Sequence, residues 1–219
     1  MQPSRYHHGD LRNSLVDIGA ELLNSKGISG ISLREIARTI GVGHNAPYRH
    51  FRNKQQLLEA IAEDGFRKLK ARNTRLELEL ASDPETQLFE SGMHIISMAA
   101  EQPNLFQLMF GGYLKTEHCA ESLKQEADEA MQGLIRIIRN GQQRGVFIVG
   151  DPVKLALSAM SMVQGLALMV ASGKLKPHAS MAGEKAAWAD YQMLLKGMVL
   201  QLFDVFLLGI KRSPNQDIK

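Results

Sequence analysis

The chain has 219 residues and a mass of 24.3 kDa, is 44% hydrophobic and 22% charged, and carries a formal net charge of +3. That composition excludes a disordered or collagen-like chain and fits one or two ordinary globular domains. All of the net charge lies in residues 1–60, where eight Lys/Arg face five acids, whereas the rest of the chain carries eighteen of each. Four of the seven histidines share this basic quarter, and ten of the eleven methionines lie at or beyond Met93. A basic head suits a polyanion, and a neutral, Met-rich body suits an adaptable apolar interior.

The N-terminal MQPSRYHHGD has no apolar run behind its basic residue, so it does not read as a secretory signal. A first helix is expected from about Asp10 to Lys26, with Leu11, Leu15, Ile18 and Leu22 on its apolar face and Gly27 as its stop. Ser32-Leu33-Arg34-Glu35 is a capping box that opens a second helix through Ile36, Ala37 and Ile40 to Gly41. A short helical segment His44–Phe51 follows, and Asn53 caps a long helix carrying Leu57, Leu58, Ile61 and Phe66. Asp83-Pro84 and Asp151-Pro152 are cap-plus-proline starts, and Gln102-Pro103 breaks a helix. Further helices are expected near 84–101, 103–112, 117–144, 152–172 and 184–212, with Gly173 to Gly183 as the most mobile loop. No alternating run supports a strand, so the fold class is all-α.

Two short helices joined by a glycine turn fit a helix-turn-helix, whose second helix can enter the DNA major groove. In residues 32–54 five basic residues oppose only Glu35. Leu33, Ile36, Ala37, Ile40, Val42 and Phe51 can pack the unit, which leaves His44, Asn45, Tyr48, Arg49 and His50 pointing partly outward. Tyrosine and histidine can donate to phosphate, while asparagine and arginine can read base edges.

The stretch ISLREIARTIGVGHNAPYRHFRNKQQLLEAI, Ile31–Ile61, resembles the DNA-binding domain of TetR-type bacterial transcriptional repressors. The likeness covers the ~60 N-terminal residues, with Glu-Ile-Ala, Gly-Val, Tyr-Arg-His-Phe and Lys-x-x-Leu-Leu in the family's order. Gly43 stands where the family often has serine, and Pro47 where it usually has Leu or Ile. A proline in the first turn loses at most one helical bond, so the reading helix is expected to persist. The His-x-Ala-Pro-Tyr-Arg-His-Phe form resembles a recognised subset of the family.

The resemblance implies a homodimer on a near-palindromic operator in double-stranded DNA, with each recognition helix in a major groove. Carried over by position, Tyr48 and Lys54 hold phosphates, and Ser32 and Arg34 touch the backbone at the start of the second helix. His44, Asn45, Ala46 and Arg49 face bases, with His50 beside them. Tyr6, His7 and His8 form an arm along the backbone. The division implied is a DNA-binding domain over residues 1–55 and a larger ligand-binding and dimerisation domain over 56–219.

Helix 152–172 is apolar nearly all round and must be covered on every side. Its longest apolar run, Leu155 to Ala171, is interrupted by Ser158, Ser161, Gln164 and Gly165, which favours a buried helix over a membrane span. With the last helix it exceeds what a monomer needs. Leu166, Met169, Leu194, Leu202, Val205 and Phe206 are the candidate dimer interface, and the family implies a four-helix contact there. The segment Met162–Leu175 also resembles a C-terminal domain type of such regulators, through its glycine and apolar pattern only. An unidentified small apolar effector is expected among Met93, Ile96, Phe106, Met109, Tyr113, Met131, Ile135, Met160, Gln164 and Met198. Of the polar groups, His94, Gln164 and Tyr113 are placed to orient it.

An enzyme is a rival class that the motifs oppose. There is no His-x-x-x-His, paired-cysteine or Gly-x-Ser-x-Gly element, so no catalytic residue, metal or cofactor is expected. Cys119 beside His118 reads as a plain thiol, and one cysteine fits a reducing cytoplasm. The other rival is a non-specific architectural DNA binder without an effector, which would hold any duplex equally.

Overall fold

The computed structural model describes residues 11–175 and 184–210. Tyr6, His7 and His8, and most of the Gly173–Gly183 loop, lie outside the described residues. Among the described residues all regular structure is helical, in eight α-helices and two short 3-10 turns.

The first helix, α1 (Leu11–Gly30), leaves helical geometry at Gly27, where φ is 71°. It buries Leu15, Val16, Gly19 and Leu23. The expected stripe is therefore rotated, with Leu11, Ile18 and Leu22 only half-buried. A Cβ on Gly19 would stand 2.9 Å from Ile61 Cδ1, so its absence leaves room for the Ile61 side chain against α1.

Helix α2 (Leu33–Ile40) begins with the Ser32 half of the expected capping box, the Glu35 amide donating to Ser32 Oγ at 3.2 Å. The Glu35 carboxylate pairs with Lys26 of α1 and so ties the two helices together. Gly41, at φ 80°, closes α2 in a Schellman motif, with Val42 N donating to the Ala37 carbonyl at 3.0 Å. Helix α3 (Lys54–Glu79) is capped by Asn53, whose Oδ1 accepts from the Gln56 amide at 3.0 Å.

The body is built from α4 (Pro84–Glu101), α5 (Pro103–Phe110), α6 (Glu121–Gln143), α7 (Pro152–Ala171) and α8 (Glu184–Ile210). Both cap-plus-proline starts form: Asp83 accepts from the Thr86 amide at 3.0 Å and Asp151 from the Val153 amide at 2.9 Å. The α6 helix starts at Glu121 because a 3-10 turn, Thr116–His118, takes up the expected first turn.

Helix α3 runs unbroken through residue 55, and one apolar cluster joins α1 and α2 to Leu105 and Leu108 of α5 and Leu123 and Ala130 of α6. Polar ties cross the same junction. Asn24 Nδ2 donates to the Glu101 carbonyl at 3.1 Å, and Asn104 Nδ2 returns a bond to the Asn24 carbonyl at 2.9 Å. Buried Glu59 accepts from the Ala120 amide at 3.3 Å, ahead of α6. Further along, Lys70 bridges Glu126 at 2.6 Å and Glu129 at 2.7 Å, so α3 and α6 are clasped along their length.

Candidate nucleic-acid interface and internal cavity

The segment after α2 is a tight turn and not the α-helix expected. Ala46 N donates to the Gly43 carbonyl at 2.9 Å, Arg49 N to the Ala46 carbonyl at 3.2 Å and His50 N to the Pro47 carbonyl at 3.0 Å, all three-residue spans. Pro47–Arg49 is a 3-10 turn. Pro47 contributes no N–H to a helical ladder, and one four-residue bond, from Phe51 N to the Pro47 carbonyl at 2.9 Å, closes the turn. The expectation that the reading helix persists as an α-helix is thereby corrected.

The turn still sorts its side chains as the basic head requires. Pro47 and Phe51 are buried, and Ala46 is half-buried. His44, Asn45, Tyr48, Arg49 and His50 are exposed, Tyr48 by 46%. Arg12 lies over the Phe51 ring at 5.5 Å from its centroid and adds positive charge beside the turn. Ser32 and Arg34 are exposed at the start of α2. Lys54 is half-buried at the start of α3, its Nζ 3.4 Å from the Ser29 carbonyl. The only acid of 32–54 is Glu35, and the bond from Lys26 holds its carboxyl below the usual value. Nothing acidic on this segment is left to face outward, so its field is positive.

A cavity of about 310 Å³ lies in the body between α3, α4, α6, α7 and α8. Of the effector-site candidates, Ile96, Met131, Met160 and Gln164 line it. Met93, Phe106, Met109, Tyr113, Ile135 and Met198 do not. Phe106 and Ile135 are spent in solid core. Met109 is packed where a Cβ on Gly65 would stand 2.5 Å from its Sδ. Met93 and Met198 pack at the edge of a core cluster, and Tyr113 is half-exposed after α5. His94 is also absent from the wall; burial, reinforced by Arg72, lowers its pKa to about 4, so the ring is neutral at pH 7.

The wall contains polar groups that periodicity by itself passed over. Asn73 lines it at 3% exposure, Ser91 at 7%, and Asp128 is exposed. Asn73 falls on the buried Phe66–Leu69–Asn73–Leu76 stripe of α3, between apolar Leu69 at i−4 and Leu76 at i+3. A polar residue on such a stripe was the available signal. Phe66 and Phe110, edge to face at 5.4 Å, belong both to this wall and to the apolar cluster under the head.

The six interface candidates divide between two places. Leu166, Leu202 and Phe206 line the cavity, whereas Met169, Leu194 and Val205 are exposed by 44%, 52% and 59%. Helix α8 turns Tyr191, Leu195, Val199 and Leu207 inward, so the last helix has two apolar faces. Met193, Leu200 and Leu208 join the exposed set, as do Leu157 and Leu168 of α7. Pro152–Ala171 and Ala189–Gly209, with mean hydropathy 1.6 and 1.4, are long and apolar enough to cross a bilayer by length and composition only, a test that core helices also pass.

Comparison with known proteins gives the arrangement a context. Residues 15–61 match the family described as bacterial regulatory proteins, tetR family, and residues 88–193 match the tetracyclin repressor-like C-terminal domain. The chain is 43% identical over 51 residues to the class A tetracycline repressor protein from transposon 1721 of Escherichia coli, which covers 23% of this chain and 24% of that protein. It thus spans about a quarter of that curated relative's length. A protein of unknown function from Rhodococcus sp. RHA1 superposes with a TM-score of 0.76 at 30% identity, covering 97% of this chain and all of that one. AibR, solved with isovaleryl coenzyme A and operator DNA, shares the fold with a TM-score of 0.58 at 22% identity, over 87% of this chain and 97% of its own.

Proposed function

Because this chain belongs to the TetR family of bacterial regulatory proteins, and so is a DNA-binding transcription factor and not an enzyme, we propose that it is a ligand-responsive repressor. It binds a near-palindromic operator as a homodimer in the cytoplasm and is released by a small apolar effector. The observation that carries this reading is the exposed set His44, Asn45, Tyr48, Arg49 and His50 on a turn anchored by buried Pro47 and Phe51. Arg49 and Asn45 reach base edges, while Tyr48, Lys54, Ser32 and Arg34 hold the backbone, with His44, Ala46 and His50 completing the contact.

The exposed apolar residues of α7 and α8 support a second copy as the cover for that face, since water would otherwise meet a large greasy surface. The cavity supports the release. Its Phe66–Phe110 pair also packs under the head, so a guest that favours one arrangement of the body biases the spacing of the two heads. Selection of bound fragments from genomic DNA, followed by footprinting against unrelated duplex, tests the reading. A protected palindrome beside a gene is expected. Equal affinity for every duplex would instead identify an architectural binder.

A further inference from the structure

We propose that the cavity takes an uncharged or singly cationic apolar molecule of about ten to fifteen heavy atoms whose one hydrogen-bond acceptor meets the Asn73–Ser91 pair. This rests on the effector-released reading above and names the chemistry of its site. Size comes first: about 310 Å³ corresponds to roughly ten water volumes. Polarity comes next. Ser91 Oγ donates to Asn73 Oδ1 at 3.1 Å, which leaves the Asn73 Nδ2 group, beside Gly133, out of that bond. Either orientation of that amide leaves two N–H or O–H donors outside the Ser91–Asn73 bond, on side chains that are almost wholly buried and line the cavity. A carbonyl, ether or hydroxyl oxygen of a guest accepts from one of them.

Charge decides the rest. None of the described residues lining the cavity is Lys, Arg or His, and the one acidic side chain among them is Asp128. Asp128 and Leu157 are both exposed, so the cavity opens to solvent past them. A guest carboxylate or phosphate would lose its hydration with no cation in the wall and would pass a like charge on entry. A guest ammonium, by contrast, can stay wet at the mouth beside Asp128 while its apolar part enters. The only other polar side chain of the wall, the neutral amide of Gln164, leaves this balance unchanged.

The test is calorimetric titration of the purified 219-residue protein with four matched probes: 4-phenyl-2-butanone, 4-phenylbutylamine, 4-phenylbutanoate and butylbenzene. The ketone and the amine are expected to bind at least tenfold tighter than the carboxylate, and the ketone severalfold tighter than butylbenzene. Asn73→Leu should remove the ketone's advantage over butylbenzene, and Asp128→Asn should weaken the amine several-fold while leaving the ketone alone. The comparison among guests on the native chain decides the matter even where Asn73→Leu fails to fold. A carboxylate that binds as well as the ketone, a butylbenzene that equals it, or no binding by any probe overturns the proposal. A parallel operator-retention assay separates the two readings. Ketone binding as expected without operator release upholds the cavity chemistry and defeats effector control, whereas release by some other compound with all four probes silent does the reverse.

Discussion

Tyr48 and Lys54 are the side chains on which affinity for a duplex should depend most simply. Tyr48 is exposed beside the reading turn, and Lys54 stands at the amide-rich start of α3, where an anion is favoured. Tyr48→Phe with Lys54→Ala should weaken operator binding by about tenfold per lost bond in gel-shift titrations, with the circular dichroism unchanged. Lys54→Ala should also flatten the log–log salt dependence by about 0.9 for each protomer. His94 makes a different prediction. Its folded pKa of about 4 lies below its ordinary 6.5, so between those values the unfolded chain takes up a proton that the folded chain refuses. Stability is thus full above pH 6.5 and falls as the pH drops toward 4, by about 2 kcal/mol once solvent screening of the half-buried ring is allowed for. His94→Gln should flatten that part of the urea-midpoint profile.

At the level of elements, the sequence signals that held best were the caps. Ser32, Asn53, Asp83 and Asp151 each accept from an amide in the first turn of their helix, and Gly41 ends α2 in a left-handed turn. These depend on bonds within a few residues, which is why they are legible locally. Asn53→Ala should cost about 1 kcal/mol and lower Tm by about 2–4 °C in a scan, with a further loss of DNA affinity because the same cap abuts the reading turn. The reading segment was legible as an exposed basic unit but not as a 3-10 turn. Pro47 removes one donor, and whether the remainder winds as α or 3-10 depends on the burial of Pro47 and Phe51 beneath it.

For the whole molecule, the exposed faces of α7 and α8 set the next expectation. Leu194→Glu with Val205→Glu should turn a dimer in sedimentation at micromolar concentration into a monomer, and operator affinity should collapse with it. A wild-type monomer under those conditions would remove the basis for a two-groove contact. A guest saturating the cavity at a hundred times its Kd should stabilise the fold by about 2.7 kcal/mol. That is a rise of roughly 5–10 °C in Tm, accompanied by operator release.

Charge asymmetry, capping residues and helical periodicity act through neighbours in the chain, so the all-α class, the helix starts and the basic head with its outward His44–His50 set could be read from the amino acids in order. The cavity wall and the dimer face could not. Leu166, Leu202 and Phe206 are as apolar as Met169, Leu194 and Val205, and no local rule says which three look inward. That choice follows from how α4 and α6 seat against α7 and α8, and from Phe106 and Ile135 filling space that a guest would otherwise share. Hydrophobic burial has no direction of its own, and close packing among distant segments supplies one.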